Sequence, residues 1–209
     1  MPPEVNKALD RHDLCGLYVA QYEMQPSATR ALRAIPANCV ASMNTHDMPP
    51  FAKFWNAGDV DDRIGLEMLS PASRAGELQS RERTKSSLVK FLTKKGLLTG
   101  AGPAPEAATV RDAVLEFLAR SPADFVLVNI EDLWLETEWQ NVPGTETEHP
   151  NWRRRLRCTL DEMRKDEGLA AALRWIDALR HGKPATKPVA STGSSTQKRS
   201  RGREAAVKC

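Results

Sequence analysis

The chain has no CxxC pair among its four cysteines, no apolar run long enough to cross a bilayer, and only four scattered histidines in 209 residues. Each absence excludes a class of protein. Cys15, Cys39, Cys158 and Cys209 lie at unrelated spacings, which argues against a zinc ribbon or a redox dithiol and for reduced thiols. His12, His46, His149 and His181 lack the spacing of metal ligands, so no metal site is expected. With neither a leader-like segment nor a long apolar span, the expected compartment is the cytoplasm and no membrane partner is expected.

Charge is unevenly placed. Residues 182–209 are rich in Gly, Ser, Thr, Pro and Lys/Arg, with Val189 and Val207 as the only large aliphatics, and carry seven basic residues against Glu204. This +6 tail turns a body of −3 into a chain of +3. The body therefore gives no electrostatic case for nucleic acid. The tail reads as a disordered, solvated segment, with a nucleic-acid arm and a frameshifted or read-through terminus as alternatives. The domain reading is residues 1–181 as one folded part and residues 182–209 as a low-complexity basic tail.

Within the body, residues 3–13 read as a short helix and 17–23 as a strand. A loop from Pro26 to Pro36 leads to a second strand at 39–43, continuous rather than alternating in its apolar pattern, as expected where both faces are covered. Phe51, Phe54 and Trp55 follow at helical spacing. Ser70-Pro71 is a helix start with Ser at the N-cap, opening a charged helix whose apolar contacts are Leu78, Leu88, Phe91 and Leu92. After a Gly/Pro/Ala linker at 96–108, Thr109-Val110-Arg111-Asp112 resembles a capping box for a helix carrying Val114, Leu115 and Leu118. A third strand is expected at 125–130. A last helix over 159–180 would carry Leu160, Met163, Leu169, Leu173, Ile176 and Leu179. The alternation of strand and helix predicts an α/β fold with a parallel sheet.

Two of these strands end in polar pairs that include an acid. Cys39-Val40-Ala41-Ser42-Met43 delivers Asn44-Thr45-His46-Asp47 before Met48-Pro49-Pro50 turns the chain, and Phe125-Val126-Leu127-Val128-Asn129-Ile130 ends in Glu131-Asp132. In parallel α/β barrels, catalytic groups sit at such strand ends. From the residues alone, Asp47 is either a helix N-cap or a ligand-binding carboxylate, and His46 a core histidine or a hydrogen-bond donor. Glu131 and Asp132 could form a solvated turn, pair with Arg153–Arg155, or position loops around a site. Trp134, Trp139 and Trp152 are either core residues or stacking platforms, with Trp152 expected to pack under the arginines that follow it. Asn151, Arg153 and Arg154 read as anchors of the last loop, and Glu23 as a weak site candidate.

The stretch Asn44-Thr45-His46-Asp47-Met48-Pro49 resembles the fourth sequence region of the amylomaltase (4-α-glucanotransferase) family of glycoside hydrolases, family 77. Pro2-Pro3-Glu4-Val5, Gly16–Glu23, Pro36–Ser42, Asn129–Trp134, Asn141-Val142-Pro143-Gly144-Thr145 and Asn151–Arg155 fall in the family's order. The resemblance covers about residues 2–180. It implies the C-terminal portion, about three strand–helix units, of a (β/α)8 TIM barrel of the α-amylase type. It implies transfer of α-1,4-glucan segments between glucans, with no metal or organic cofactor. By residue match, Asp47 is the carboxylate that holds the sugar and stabilises the oxocarbenium-like transition state. His46, Asn44, Glu131, Asp132 and Trp134 are the expected substrate-binding residues.

Retaining glycosyl transfer also needs a nucleophile and an acid about 5–5.5 Å apart, and the resemblance places both on strands preceding Pro2. The expectation is therefore a truncated glucanotransferase without them, doubtful as an enzyme alone. The alternatives are a non-catalytic glucan-binding protein, a split enzyme whose N-terminal barrel half is another polypeptide, and the product of a broken gene.

Overall fold

A computed structural model describes residues 3–100, 102, 104–184, 186 and 187. Helix α1 (Pro3–Arg11) leads to strand β1 (Gly16–Val19) and a single helical turn, α2 (Ala20–Glu23). Strand β2 (Cys39–Ser42) precedes α3 (Phe51–Trp55) and α4 (Gly58–Gly65). A 3₁₀ turn, Pro71–Ser73, runs into the long α5 (Arg74–Lys94). Then come α6 (Ala107–Ala119), β3 (Phe125–Leu127), α7 (Ile130–Leu133), α8 (Leu160–Lys165) and α9 (Glu167–Arg180). The strands form one parallel sheet in the order β1-β2-β3, the α/β arrangement expected. Of the expected disordered tail, residues 185 and 188–209 lie outside the described residues.

Four boundaries depart from the expectations. The strand placed at 17–23 stops at Val19, because α2 winds the chain so that Gln21, 6% exposed, finds its partners at the end of β2. No full helix spans the β1–β2 crossover. The strand placed at 125–130 has three residues; a helical turn then swings Asp132 inward, where continued extension would have kept Ile130 and Asp132 on one face. Helix α6 begins at Ala107 with Glu106 at its N-cap, so Thr109 caps nothing. Asp112 is buried against Arg111 at 2.6 Å instead. The helix placed over 159–180 is two, broken at Asp166 (ψ 99°), whose carboxylate caps α9 through Leu169 N. The break shifts the helical phase, leaving Leu160 and Leu173 exposed rather than buried.

The core lies where α6 packs against α3, α5 and α9. Val110, Val114 and Leu118 of α6 are fully buried, alongside Leu88 and Leu92 of α5 and Ile176 and Leu179 of α9. Tyr18 and Ala41 share a register row and are buried on the helix-covered face of the sheet. The opposite face is different. Leu17, Val40 and Phe125 form another row, and Leu17, Phe125 and Leu127 are 54%, 59% and 55% exposed.

The C-terminal ends of the strands are tied by a buried amide network. Asn44, 3% exposed, donates from Nδ2 to Gln21 Oε1 (3.1 Å) and to the Asp132 carboxylate (3.0 Å), and its Oδ1 accepts from Asn129 Nδ2. Gln21 Nε2 donates to Pro49 O at 3.2 Å, and Asp132 Oδ1 accepts from Phe51 N at 2.7 Å. Arg111 donates to Asp132 O (3.2 Å) and Leu133 O (2.9 Å), holding the end of α7 against α6. Burial raises the Asp132 pKa from 3.8 to about 6, with neighbouring Glu131 adding to the rise; the bonds from Phe51 N and Asn44, and Arg111, oppose it.

Two predictions follow from this packing. Leu118→Ala, in a site that cannot collapse freely, should cost about 2–5 kcal/mol of unfolding free energy. Leu127→Ala, on the uncovered face, should stay within about 0.5 kcal/mol of the parent; denaturant midpoints compare the two. The second concerns Asp132. Its folded pKa exceeds the unfolded one, so its contribution is full below pH 3.8 and is lost as pH rises through about 6. The loss is on the order of 3 kcal/mol. Asp132→Asn should remove that fall, so parent and variant compared by urea unfolding at pH 4 and pH 7 should diverge; a constant difference would rule out the raised pKa.

Candidate active site

After β2, Met43 and Asn44 are still buried, and the chain then rises into a turn that presents His46 and Asp47 to solvent. Their side chains are 63% and 44% exposed, with His46 Nε2 3.5 Å from Asp47 Oδ2. His46 is therefore not a core residue. Nor is Asp47 a helix cap: the N-cap of α3 is Pro50, and Asp47 Oδ1 accepts from Asn141 Nδ2 at 2.6 Å. A fixed acceptor–donor contact of this kind orients the carboxylate without neutralising it.

Asn141 arrives on the irregular segment 134–159, which is held by its own polar side chains. Asn151 Oδ1 accepts from Val142 N at 2.9 Å, and its Nδ2 donates to Thr145 O at 3.0 Å. Gly144 (φ +86°) makes the turn between them in a region open to glycine but strained for other residues. Trp139, 8% exposed, donates from Nε1 to Asp62 Oδ2 at 2.6 Å, pinning the segment to α4. Asn151 thus braces the loop internally rather than tying it to the rest of the fold, which Trp139 and Asn141 do instead.

A cavity of about 360 Å³ opens between this segment and the strand ends, lined by Asn44, His46, Glu131, Asp132 and Trp152 among others. This is within the usual size of small-molecule sites. Glu131 lies on the rim 3.9 Å from Arg154, which also donates to Glu136 at 3.0 Å. Of the arginines considered as its partners, Arg154 is the one that meets it. Asn44 and Asp132 form part of the cavity floor, with their polar atoms engaged in the network. Trp134 does not line the cavity; Arg157 lies over its ring at 4.9 Å. Trp152 departs from expectation in the other direction: it is 57% exposed rather than packed under the arginines. Glu23 pairs with Arg33 at 2.6 Å and does not line this cavity.

Sequence reasoning assigned no role to Gln21, Asn129, Arg111 or Asn141. Gln21 and Asn129 carried a usable signal, each being a lone amide in an otherwise apolar strand run. Arg111 and Asn141 carried none, since their partners are distant in the chain. Among the described residues no group of three or more His, Cys, Asp or Glu side chains is placed to hold a metal ion, and no helix is long and apolar enough to cross a membrane.

Comparison with known proteins draws on the same residues. The sequence profile described as 4-alpha-glucanotransferase, of glycoside hydrolase family 77, matches residues 1–160. A 4-alpha-glucanotransferase of Mycobacterium tuberculosis is 32% identical over 157 residues, 72% of this chain and 21% of that protein. One from Haemophilus influenzae is 24% identical over 174 residues, 81% of this chain and 25% of that protein. The crystal structure of amylomaltase from Corynebacterium glutamicum superposes with a TM-score of 0.71 at 22% identity, covering 82% of this chain and 27% of that one. The chain therefore spans about a fifth to a quarter of the length of the curated relatives it matches. A profile match running from α1 through all three strands and the Asn141 loop leaves one assignment: the chain belongs to the 4-alpha-glucanotransferase family.

Proposed function

We propose that the chain supplies the transition-state carboxylate and part of the glucan-binding rim of a 4-α-glucanotransferase, on about three strand–helix units of a (β/α)8 barrel formed by residues 1–181. The observation that carries this reading is Asp47, exposed at the C-terminal end of the middle strand, oriented by Asn141 and flanked by His46. As an α-1,4 bond breaks, positive charge develops on the sugar ring, and a fixed carboxylate stabilises it more than it stabilises the neutral ground state. His46 donates to a sugar hydroxyl, which requires no change of charge. Glu131 borders the acceptor side, and Asn44 and Asp132 act by positioning. The chemistry needs neither metal nor organic cofactor. The proposed compartment is cytoplasmic, with α-1,4-glucans and maltodextrins as substrates and no role for nucleic acid or membrane.

The nucleophile and the acid come from polypeptide outside these residues. A partner segment supplying the remaining strands suits the uncovered sheet face, where Leu17, Phe125 and Leu127 are exposed beside the outer edges of β1 and β3, which pair with no further strand among the described residues. Unpaired strand edges beside apolar surface are templates for association.

Alone, the 209-residue chain should not convert maltotriose to glucose and longer maltodextrins; turnover typical of an intact enzyme would refute the reading. Mixed with the N-terminal part of a family member, it should gain transferase activity. In that complex Asp47→Asn should lower kcat about 1,000-fold with a smaller change in KM, while His46→Ala should cost only about 1 kcal/mol. Glucan binding without any activity on complementation would favour the non-catalytic binding protein.

A further inference from the structure

Trp152 is held in a conformation that its own packing does not explain. Its φ of +59° lies in the left-handed region that side chains other than glycine seldom adopt, yet the indole is 57% exposed. Its backbone is fixed from both sides. Asn151 is bonded as described above, and Trp152 N donates to Gln140 O at 3.0 Å. The ring meets the His46 imidazole at a centroid distance of 5.2 Å and an angle of 53°, so the two are tilted rather than stacked. Backbone strain that does not bury a large apolar ring is a pointer to function.

The polar lining points the same way. Gln140 Oε1 and Arg154 Nε are shielded from solvent and have no hydrogen-bond partner among the described residues. Both residues line the cavity that Trp152 lines. Their unsatisfied polar atoms lie just behind the cavity wall, and the exposed parts of the same side chains give the cavity a polar side opposite the indole. Arg154 is already turned toward Glu136 and Glu131, so the cavity has no free cation from this arginine for a phosphate or carboxylate. An anion is thus disfavoured, and a ligand with an apolar ring face and a hydroxylated edge suits the indole and the polar lining.

Resting on the glucanotransferase reading, we infer that Trp152 is the stacking platform of a pyranose-binding subsite, with Gln140 and Arg154 on its polar side. The indole offers a flat apolar surface to the sugar's C–H face, where dispersion contacts accumulate, while the edge hydroxyls face the polar side chains that share the cavity. His46 limits the platform on one side and places this subsite next to Asp47.

The test is a maltotriose titration of the uniformly 15N-labelled full chain, followed through the indole N–H and backbone amide resonances. Trp152→Phe identifies the Trp152 signal by its loss. That signal should shift and saturate, while those of the buried Trp55 and Trp175 stay in place and report that the fold is intact. Trp152→Ala should weaken binding about tenfold, with Trp152→Phe retaining affinity within about threefold as an aromatic replacement. Sorbitol, which has the hydroxyls without the ring, should not reproduce the shift. Saturable backbone shifts around His46 and Asp47 with Trp152 unmoved would overturn the platform and leave the Asp47 reading standing. An unchanged affinity in Trp152→Ala, an equal response to sorbitol, or no saturable shift at millimolar sugar would also overturn it. The Asp47→Asn transferase assay fails or succeeds independently of these outcomes.

Discussion

The Asn44 side chain joins the ends of all three strands, and the geometry of the rim depends on it. One amide, almost wholly buried, reaches Gln21 after β1, Asp132 after β3 and Asn129 between them. In a low-dielectric setting an unmade bond at any of these atoms would cost roughly 1–3 kcal/mol, so the network favours one relative placement of the strand ends. That placement determines where the next three residues emerge. Thr45, His46 and Asp47 have no regular secondary structure of their own to hold them. Their position comes from the tethered strand below and the Asn141 loop across the cavity.

Asp132 shows what this arrangement costs. A carboxylate so deeply buried is unfavourable when ionised, and its raised pKa follows from that. It is tolerated because it serves three elements together: Asn44 after β2, Phe51 N at the start of α3, and, through its backbone carbonyl, Arg111 of α6. An apolar residue there would leave Asn44 and Phe51 N without their acceptor, and only the backbone contact to Arg111 would survive. The charge is thus a joint between elements, and the chemistry proposed for the rim is left to Asp47, which remains exposed.

The parts of the fold legible in the sequence are those set by local pattern. The continuous apolar run of β2, the stripe of α3 and the Ser70 cap each depend on neighbours within a turn or a strand, and each was found. The single turn α2 was read as strand, and α7 was not foreseen as a turn, because residues before Gln21 and Asp132 are apolar and strand-like. What bends them is hydrogen bonding to Asn44, 23 positions from Gln21 and 88 from Asp132. The Asp47–Asn141 contact spans 94 positions. No periodicity carries such information. For the site, the His46-Asp47 pair was visible as polar residues closing an apolar run, and the family resemblance gave it a role. Trp152 was misplaced because a tryptophan before three arginines has an ordinary packing solution, and its left-handed backbone is set by the Asn151 bonds.

The uncovered sheet face separates building the rim from closing the sheet. Along one register row, Leu17, Val40 and Phe125 are apolar, and two of them are more than half exposed. One row further toward the C-terminal end, Val19 and Ser42 are buried while Leu127 is not. The lower sheet is therefore unsatisfied apolar surface, and the upper end is a polar network whose hydrogen bonds are made within the chain. Strands docking against the edges would cover Leu17, Phe125 and Leu127 through the hydrophobic effect, which is non-directional and tolerant of small shifts. The Asn44 network is directional and already complete, so such docking would leave it in place. Asp47 can thus be oriented within this chain, while the groups that react with it are brought alongside by surfaces further down the sheet.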